Sequence, residues 1–376
     1  MFLEQLSAEV ILFFMLYGGL ALTSLIASIY LCVRKGNAFA AGVTPPLRLR
    51  RWAASLFFIA FLGHIWWLLF YLYSNDIHSV YYLLLSELDC VLMFITIAGT
   101  LFAMLQDRER PFWPIIMATL PYAVFVLLNV LYPSDLFMYI AIAYFLLLYL
   151  LFTIYMVFAV RQYGRWLRDN YADLEHKEVW TSHVLVIVLF LLIITYGLDA
   201  GDLLFSYLVQ LFFLVFICLL LWRVETLPQL ENVLEEQEDC PRALEMLQEP
   251  NLPARTQQSI TIPSNIQQLL AERCESTLLY LKHDLTLLQL AQTVGTNRFY
   301  LSQYFSRQGI TYNAYINNLR INHFMSLYRE AANAQKPISA QQLASDSGYR
   351  SYSTFSLAFK QRMGRSVSTW MRETAK

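Results

Sequence analysis

One short pattern, written twice near the C-terminal end, constrains this chain more than any other feature. The first copy is LTLLQLAQTVGTNRFYLSQYFSRQG, residues 285–309, and the second is ISAQQLASDSGYRSYSTFSLAFKQRMG, residues 338–364. Thr286 falls on Ser339, Gln289 on Gln342, Leu290-Ala291 on Leu343-Ala344 and Gly295 on Gly348; after one inserted residue, Leu301 falls on Phe355 and Phe305 on Phe359. Each copy describes two helices joined tightly. Thr286 and Ser339 are N-cap residues, and the glutamine three places on predicts a capping box that satisfies orphan amide donors. Leu287, Leu290 and Ala291 share one helical face. Gly295 and Gly348 stand where a helix has to stop through a left-handed residue, which glycine adopts at least cost. A second helix then begins, its inner side set by Leu301 and Phe305 or by Phe355 and Phe359.

Helix, glycine turn, helix is the arrangement with which DNA readers place a second helix in the major groove. One such pattern is common among helical hairpins; two, separated by a longer helical stretch over residues 312–329, are far more specific. Residues 264–376 resemble the DNA-binding domain of the AraC/XylS family of bacterial transcription regulators, a likeness carried by LAQTVGTNRFYLSQYFSRQGITYNAYINNLRI and GYRSYSTFSLAFKQRMGRS. The resemblance covers under a third of the chain. It implies a domain that reads two neighbouring major-groove segments from one side of the duplex, one with each recognition helix.

On that alignment Arg298, Phe299, Ser302 and Gln303 face DNA from the first recognition helix, with Arg307 at the phosphates. Tyr352, Ser353 and Ser356 take the base-facing places of the second, with Lys360 and Arg362 beyond them near phosphates. Gln303 could pair bidentately with adenine, Arg298 could contact phosphate or guanine, and Phe299 could pack on a thymine methyl. One of Phe299 and Tyr300 is needed for helix packing instead. Tyr315 and Trp370 supply a matching aromatic to each copy. Relatives commonly carry a basic residue where Leu357 stands and a proline where Val367 stands, so the second motif is expected to position the domain more than it reads sequence. Charge agrees with a nucleic-acid partner: from residue 264 onward thirteen lysines and arginines face six acids, an excess of about seven. That is the electrostatic footprint of a phosphate-binding surface, concealed in the whole-chain net charge of −1.

Before Arg223 the chain is built for a different solvent. It is 57% hydrophobic overall and only 15% charged, and the apolar excess lies almost wholly in this part. Tyrosine, phenylalanine and tryptophan are abundant, as in membrane proteins with interfacial aromatic belts. Seven apolar runs approach the ~20 residues that a spanning helix requires: 10–33, 52–73, 80–105, 112–131, 136–160, 182–198 and 203–222, the sixth being short and bounded by Gly197 and Gly201. Their connections alternate in charge. One set holds Arg34, Lys35, Arg48, Arg50, Arg51, Arg108, Arg110, Arg161, Arg165, Arg168, Lys177 and Arg223; the other has neither lysine nor arginine and carries Asp76, Asp135, Asp199 and Asp202. The positive-inside rule then predicts an exported N-terminus and a cytoplasmic C-terminus, as an odd number of spans also demands. The first run reads as a retained helix rather than a cleavable signal, since no lysine or arginine precedes Arg34 while Glu4 and Glu9 are acidic.

Residues 224–263 are rich in glutamate, glutamine and proline. Pro228 could open a short helix there, with Leu227, Leu230 and Leu234 as a brief apolar stripe. Two readings stand: a coiled-coil seam that pairs two subunits, or a solvated acidic tether. The five cysteines form no CxxC pair and no Cys/His cluster, which reads as scattered reduced thiols with no zinc site. Among ionisable residues inside the apolar runs, His64 in the second and Glu87 and Asp89 in the third are candidates for a ligand or sensor site. His64 and Asp89 are equally far from the intervening turn and are expected at similar depth; the alternative role is a static interhelical hydrogen bond.

The expected fold is all-α: a seven-helix transmembrane bundle (1–223), an acidic juxtamembrane linker (224–263) and a double helix-turn-helix domain (264–376). A retinal photoreceptor needs a buried lysine, but the lysines before Arg223 are Lys35 and Lys177, both in basic connections. An enzyme needs an activated nucleophile or a metal motif such as HExxH, and the sequence has neither, so no catalytic residue, cofactor or metal is expected. The reading is a one-component regulator in the bacterial inner membrane, with a transporter or membrane enzyme bearing a regulatory DNA-binding domain as the alternative. Its expected partners are double-stranded promoter DNA, membrane lipid and a small ligand or other signal, with a second subunit and RNA polymerase as further candidates.

Overall fold

The computed structural model describes residues 8–34, 38–39, 43–73, 80–132, 135–175, 177–180, 183–184, 187, 203–230, 265–335, 337 and 339–374, with backbone alone at 69–73, 80–87, 135 and 203. The chain divides into two compact units, Met1–Tyr163 with Val179–Glu231, and Gly164–Glu178 with Asn232–Lys376.

In the first unit the apolar runs form α1 (Ala8–Val33), α2 (Leu47–Tyr73), α3 (Val80–Met104), α4 (Trp113–Leu131), α5 (Asp135–Asn170) and α6 (Leu203–Thr226). The last turns of α5 belong to the second unit. Five of these, α1, α2, α4, α5 and α6, are long and apolar enough to cross a bilayer, while α3 contributes a shorter apolar stretch, Leu88–Met104. Of the seven expected runs, 182–198 lies outside the described residues except at His183, Val184 and Ile187.

Helix α1 packs on α2 and α6, α2 on α3 and α6, and α3 on α4. Between helices in an apolar solvent there is little hydrophobic drive, so small residues that allow close approach decide the packing. Ala27, Ala53, Ala54 and Ala98 are buried, and the Ser28 hydroxyl donates to Ala54 O at 2.8 Å. Gly99 is the tightest case: a β-carbon there would stand 2.2 Å from the Trp52 ring. Large apolar side chains such as Leu127, Leu131, Phe158 and Leu204 are exposed, which is compatible with a hydrocarbon surrounding.

After α6 the chain stays fastened to this unit. Fully buried Glu225 accepts from Tyr30 Oη at 3.0 Å and from Ala38 N at 3.1 Å. Gln106 donates to Pro228 O at 3.0 Å and accepts from Leu230 N at 2.9 Å, and Gln229 N donates to Thr44 O at 2.9 Å. These bonds correct the stripe expected at the start of the linker. Residues 227–230 are not helical, and Leu227 and Leu230 are buried in the first unit. They are therefore unavailable as a seam for a second subunit; Leu234 lies outside the described residues.

The second unit opens with α7 (Ile266–Leu270), a π-helical turn Ala271–Glu275 and a 3-10 turn Leu279–Leu281. Then come α8 (Leu287–Val294), α9 (Arg298–Arg307), α10 (Tyr312–Asn333), α11 (Ala340–Asp346), α12 (Tyr352–Met363) and α13 (Val367–Thr374). Thr286, Asn297, Thr311, Ser339 and Ser351 each cap a helix by accepting the amide three residues on. The reciprocal half of the expected capping boxes is not made: Gln289 accepts from Lys282 Nζ at 3.4 Å, and Gln342 donates to Asp346 at 2.9 Å. The glutamines serve the flanks of their helices instead.

Two cores form, one per motif. Leu290, Ala291, Leu301, Phe305, Tyr312 and Ile316 fill the first. Phe324, Tyr349, Phe355, Phe359, Val367 and Trp370 fill the second. Helix α10 enters both, Tyr312 and Ile316 at one end, Ile321, Phe324 and Tyr328 at the other. Between them lies Arg320, almost fully buried. Its Nε donates to Tyr280 O and its Nη2 to Lys282 O, both at 2.7 Å, and its guanidinium sits 5.5 Å from the centre of the Tyr349 ring. Burial pulls its pKa below the usual arginine value, and the two carbonyls and the ring compensate the charge. Gly348 closes the same joint at φ 88°, where a β-carbon would come within 2.8 Å of the Leu281 backbone. Cys274 is buried beside the first core, which pushes its thiol up to about 12 and leaves it unreactive.

Candidate nucleic-acid interface

The second helix of each motif presents a polar outer side. On α9 Phe299, Ser302 and Arg307 are exposed, Arg298 and Gln303 half-buried. Phe299 keeps 48% of its surface exposed, while Tyr300 is half-buried against the first core. Tyr300 is thus the packing member of that pair. Gln303 Oε1 is buried with no hydrogen-bond partner among the described residues. On α12 Ser353, Leu357, Lys360 and Arg362 are exposed, and Ser356 is half-buried.

Two expected DNA contacts have other work inside the domain. Tyr352 packs against the second core, with its ring 5.8 Å from that of Phe355. Arg362 clamps α12 to α10, donating to Asn318 O at 2.6 Å and Asn322 Oδ1 at 2.7 Å. The paired aromatics also sit inside: Tyr315 lies 5.0 Å from Phe305, and Trp370 lies 5.6 Å from Phe359. Tyr315 donates to Glu275 at 2.9 Å, and burial raises its pKa, so it stays a donor. Val367, where relatives carry proline, is buried at the start of α13.

A third participant comes from far upstream. The segment Gly164–Glu178, treated in the sequence only as a basic connection between two apolar runs, packs within the second unit. Tyr171 pairs with Thr286 in an isolated antiparallel bridge, and Ala172 N donates to Leu285 O at 3.2 Å. Asn313 Nδ2 donates to the carbonyls of Tyr171 and Ala172 at 3.2 and 2.7 Å, and Ala172 is buried in the first core. Asn170 Oδ1 accepts from Arg298 Nε at 2.9 Å and Nη2 at 2.6 Å. Glu175 Oε2 accepts from Thr354 Oγ1 at 3.1 Å. Lys177 meets Asp284 at 3.2 Å, and Asp284 also meets Arg350 at 2.6 Å. The available sequence signal was the run of acids Asp169, Asp173, Glu175 and Glu178, opposite in sign to the basic domain.

Comparison with known families decides what these motifs are. A family profile described as "Helix-turn-helix domain" matches residues 290–373, from the middle of α8 to the end of α13. The C-terminal region is an AraC/XylS-type helix-turn-helix domain. No curated protein and no solved structure matches the chain. Within this AraC/XylS-type domain α9 and α12 are the second helices of their motifs, the positions from which such motifs enter the major groove.

In the first unit, the candidates His64 and Asp89 do not pair. The His64 ring contacts Ala60 O at 2.7 Å and Gln210 Oε1 at 3.3 Å, between the rings of Tyr17 and Phe213 at 4.5 and 5.4 Å. Asp89 packs against Gly63, one residue before the histidine, where a β-carbon would lie 2.9 Å from its carboxylate oxygens. The partner was not legible in the sequence, because α6 brings Gln210 to the histidine. The Glu87 side chain lies outside what is described. Among the described residues no group of acids, histidines and cysteines is placed to hold a metal ion.

Proposed function

We propose that this chain is a one-component transcription regulator held in the bacterial inner membrane by seven spans. Its N-terminus is exported and its AraC/XylS-type domain reads promoter DNA in the cytoplasm. One observation carries the reading: two helix-turn-helix motifs sharing α10 occur in a chain that also has five helices long enough to cross a bilayer. DNA contacts are assigned to Arg298, Phe299, Ser302, Gln303 and Arg307 on α9 and to Ser353, Ser356 and Lys360 on α12, with Arg362 and Tyr352 acting mainly by holding α12 in place. A signal received near His64, Glu87 and Asp89, with Gln210 as the histidine's partner, would set the output.

The test is selection of DNA from a random pool by the full-length protein in detergent or lipid discs. The expected product is one sequence with two conserved segments about one helical turn, ~10 base pairs, apart. The α12 segment should be the less constrained, because Leu357 offers no hydrogen bond to a base edge. On that sequence Gln303→Ala should cost about 1–3 kcal/mol at one base position. Lys360→Ala should weaken all sequences alike and lower the salt slope by about one. Recovery of no sequence, or equal loss on every sequence for Gln303→Ala, defeats the assignment.

A further inference from the structure

We propose that the segment from Asn170 to Glu175 is a built-in cover of the DNA-reading surface, which operator phosphates have to displace at two points. The inference rests on the reading that α9 and α12 bind DNA.

The cover is anchored between its two active residues. Ala172 N donates to Leu285 O, the Asn313 side-chain amide donates to the carbonyls of Tyr171 and Ala172, and Ala172 is part of the first core. That anchor fixes where the flanking side chains reach. On one side Asn170 Oδ1 engages two donors of Arg298, the first residue of α9. On the other Glu175 engages Thr354, in the first turn of α12. The N-terminal turns of recognition helices approach bases and phosphates most closely, and helix N-termini favour an anion. An amide oxygen and a carboxylate therefore sit where two phosphate oxygens would, one per motif. Asn170 is itself oriented by the hydrogen bond that its Nδ2 donates to Trp166 O at 2.7 Å.

Connectivity gives the cover its purpose. Asn170 is the last residue of α5, the helix that begins at Asp135 in the first unit. A change in α5 caused by a signal would reach Arg298 through the hydrogen bonds that Asn170 accepts at the end of that helix. Withdrawal of Asn170 releases two donors of Arg298 toward phosphate, and withdrawal of Glu175 removes a negative charge from the path of the backbone.

Opposed variants of one residue test this in the full-length protein, by anisotropy titration of the selected operator at fixed salt. Asn170→Ala removes the acceptor and should tighten binding about tenfold, the scale of one charge-assisted hydrogen bond. Asn170→Asp puts a full charge on Arg298 and should weaken binding about tenfold. Glu175→Gln keeps an acceptor for Thr354 but loses the charge and should tighten binding about threefold. General misfolding weakens every variant and cannot produce opposite signs at one position. In Arg298→Ala the effect of Asn170→Ala should vanish, since the two act as one pair. Both Asn170 variants shifting affinity in the same direction, or neither shifting it, overturns the cover while leaving the DNA assignment intact. A wild-type protein that selects no operator overturns both.

Discussion

Arg320→Ala is expected to destabilise the second unit by about 3–5 kcal/mol, more than most substitutions in a domain of this size. The arginine is almost fully buried between the two cores. Its removal takes donors from Tyr280 O and Lys282 O and the cation from the Tyr349 ring, and leaves a cavity in which α10 joins the motifs. Arg320→Lys should recover only part of the loss, because an ammonium cannot reach two carbonyls as a planar fork does. Urea unfolding of the full-length protein, followed through Trp370 fluorescence, measures both. Equal stability of Arg320→Ala and wild type would show that neither the two carbonyl bonds nor the packing of the arginine stabilises the joint.

Phe324→Ala should cost a similar ~3–5 kcal/mol, but locally. The ring lies 4.4 Å from Phe355, 5.9 Å from Phe359 and 6.1 Å from Trp370, so the second core is built around it. The first core has its own members and makes no use of Phe324. The second motif should therefore loosen while the first stays folded. Hydrogen exchange should rise in residues 340–374 and remain slow in 287–307. On the selected operator, protection should persist over the α9 segment and disappear over the α12 segment. Uniform loss across both segments would mean that the motifs unfold as one unit.

What was legible in the sequence was whatever is decided within one or two turns. Thr286 and Ser339 cap, Gly295 and Gly348 adopt positive φ, and Leu301, Phe305, Phe355 and Phe359 face inward, because each outcome depends on near neighbours. Arg320 shows the limit. Counted by charge it joins the basic footprint; in the fold it is interior, and only the approach of Tyr280, Lys282 and Tyr349 makes that tolerable. Arg362 is similar, spaced for phosphate and engaged by Asn318 and Asn322. Leu227 and Leu230 had the spacing of a seam but are fastened to the first unit by Gln106 and Thr44, residues over a hundred positions away. The docking of residues 170–175 was signalled only by acids opposite in sign to the basic domain, since no local period records a contact made across the chain.

The interleaving of Gly164–Glu178 with the C-terminal helices sets an order of events at the ribosome. This stretch is synthesised on the order of a hundred residues before Leu285, Thr286 and Asn313, its hydrogen-bond partners, which at ~5–20 residues per second is a wait of roughly 5–20 s. During that interval α6 has to be made while Ala172 has no core to enter. The second unit is therefore finished only by capturing a segment laid down earlier. A chain in which this segment fails to reach the C-terminal helices would lack Ala172 from its first core and the bridge from Tyr171 to Thr286. It would present an incompletely packed domain to proteolysis, so the earlier connection and the later helices pass or fail a single check.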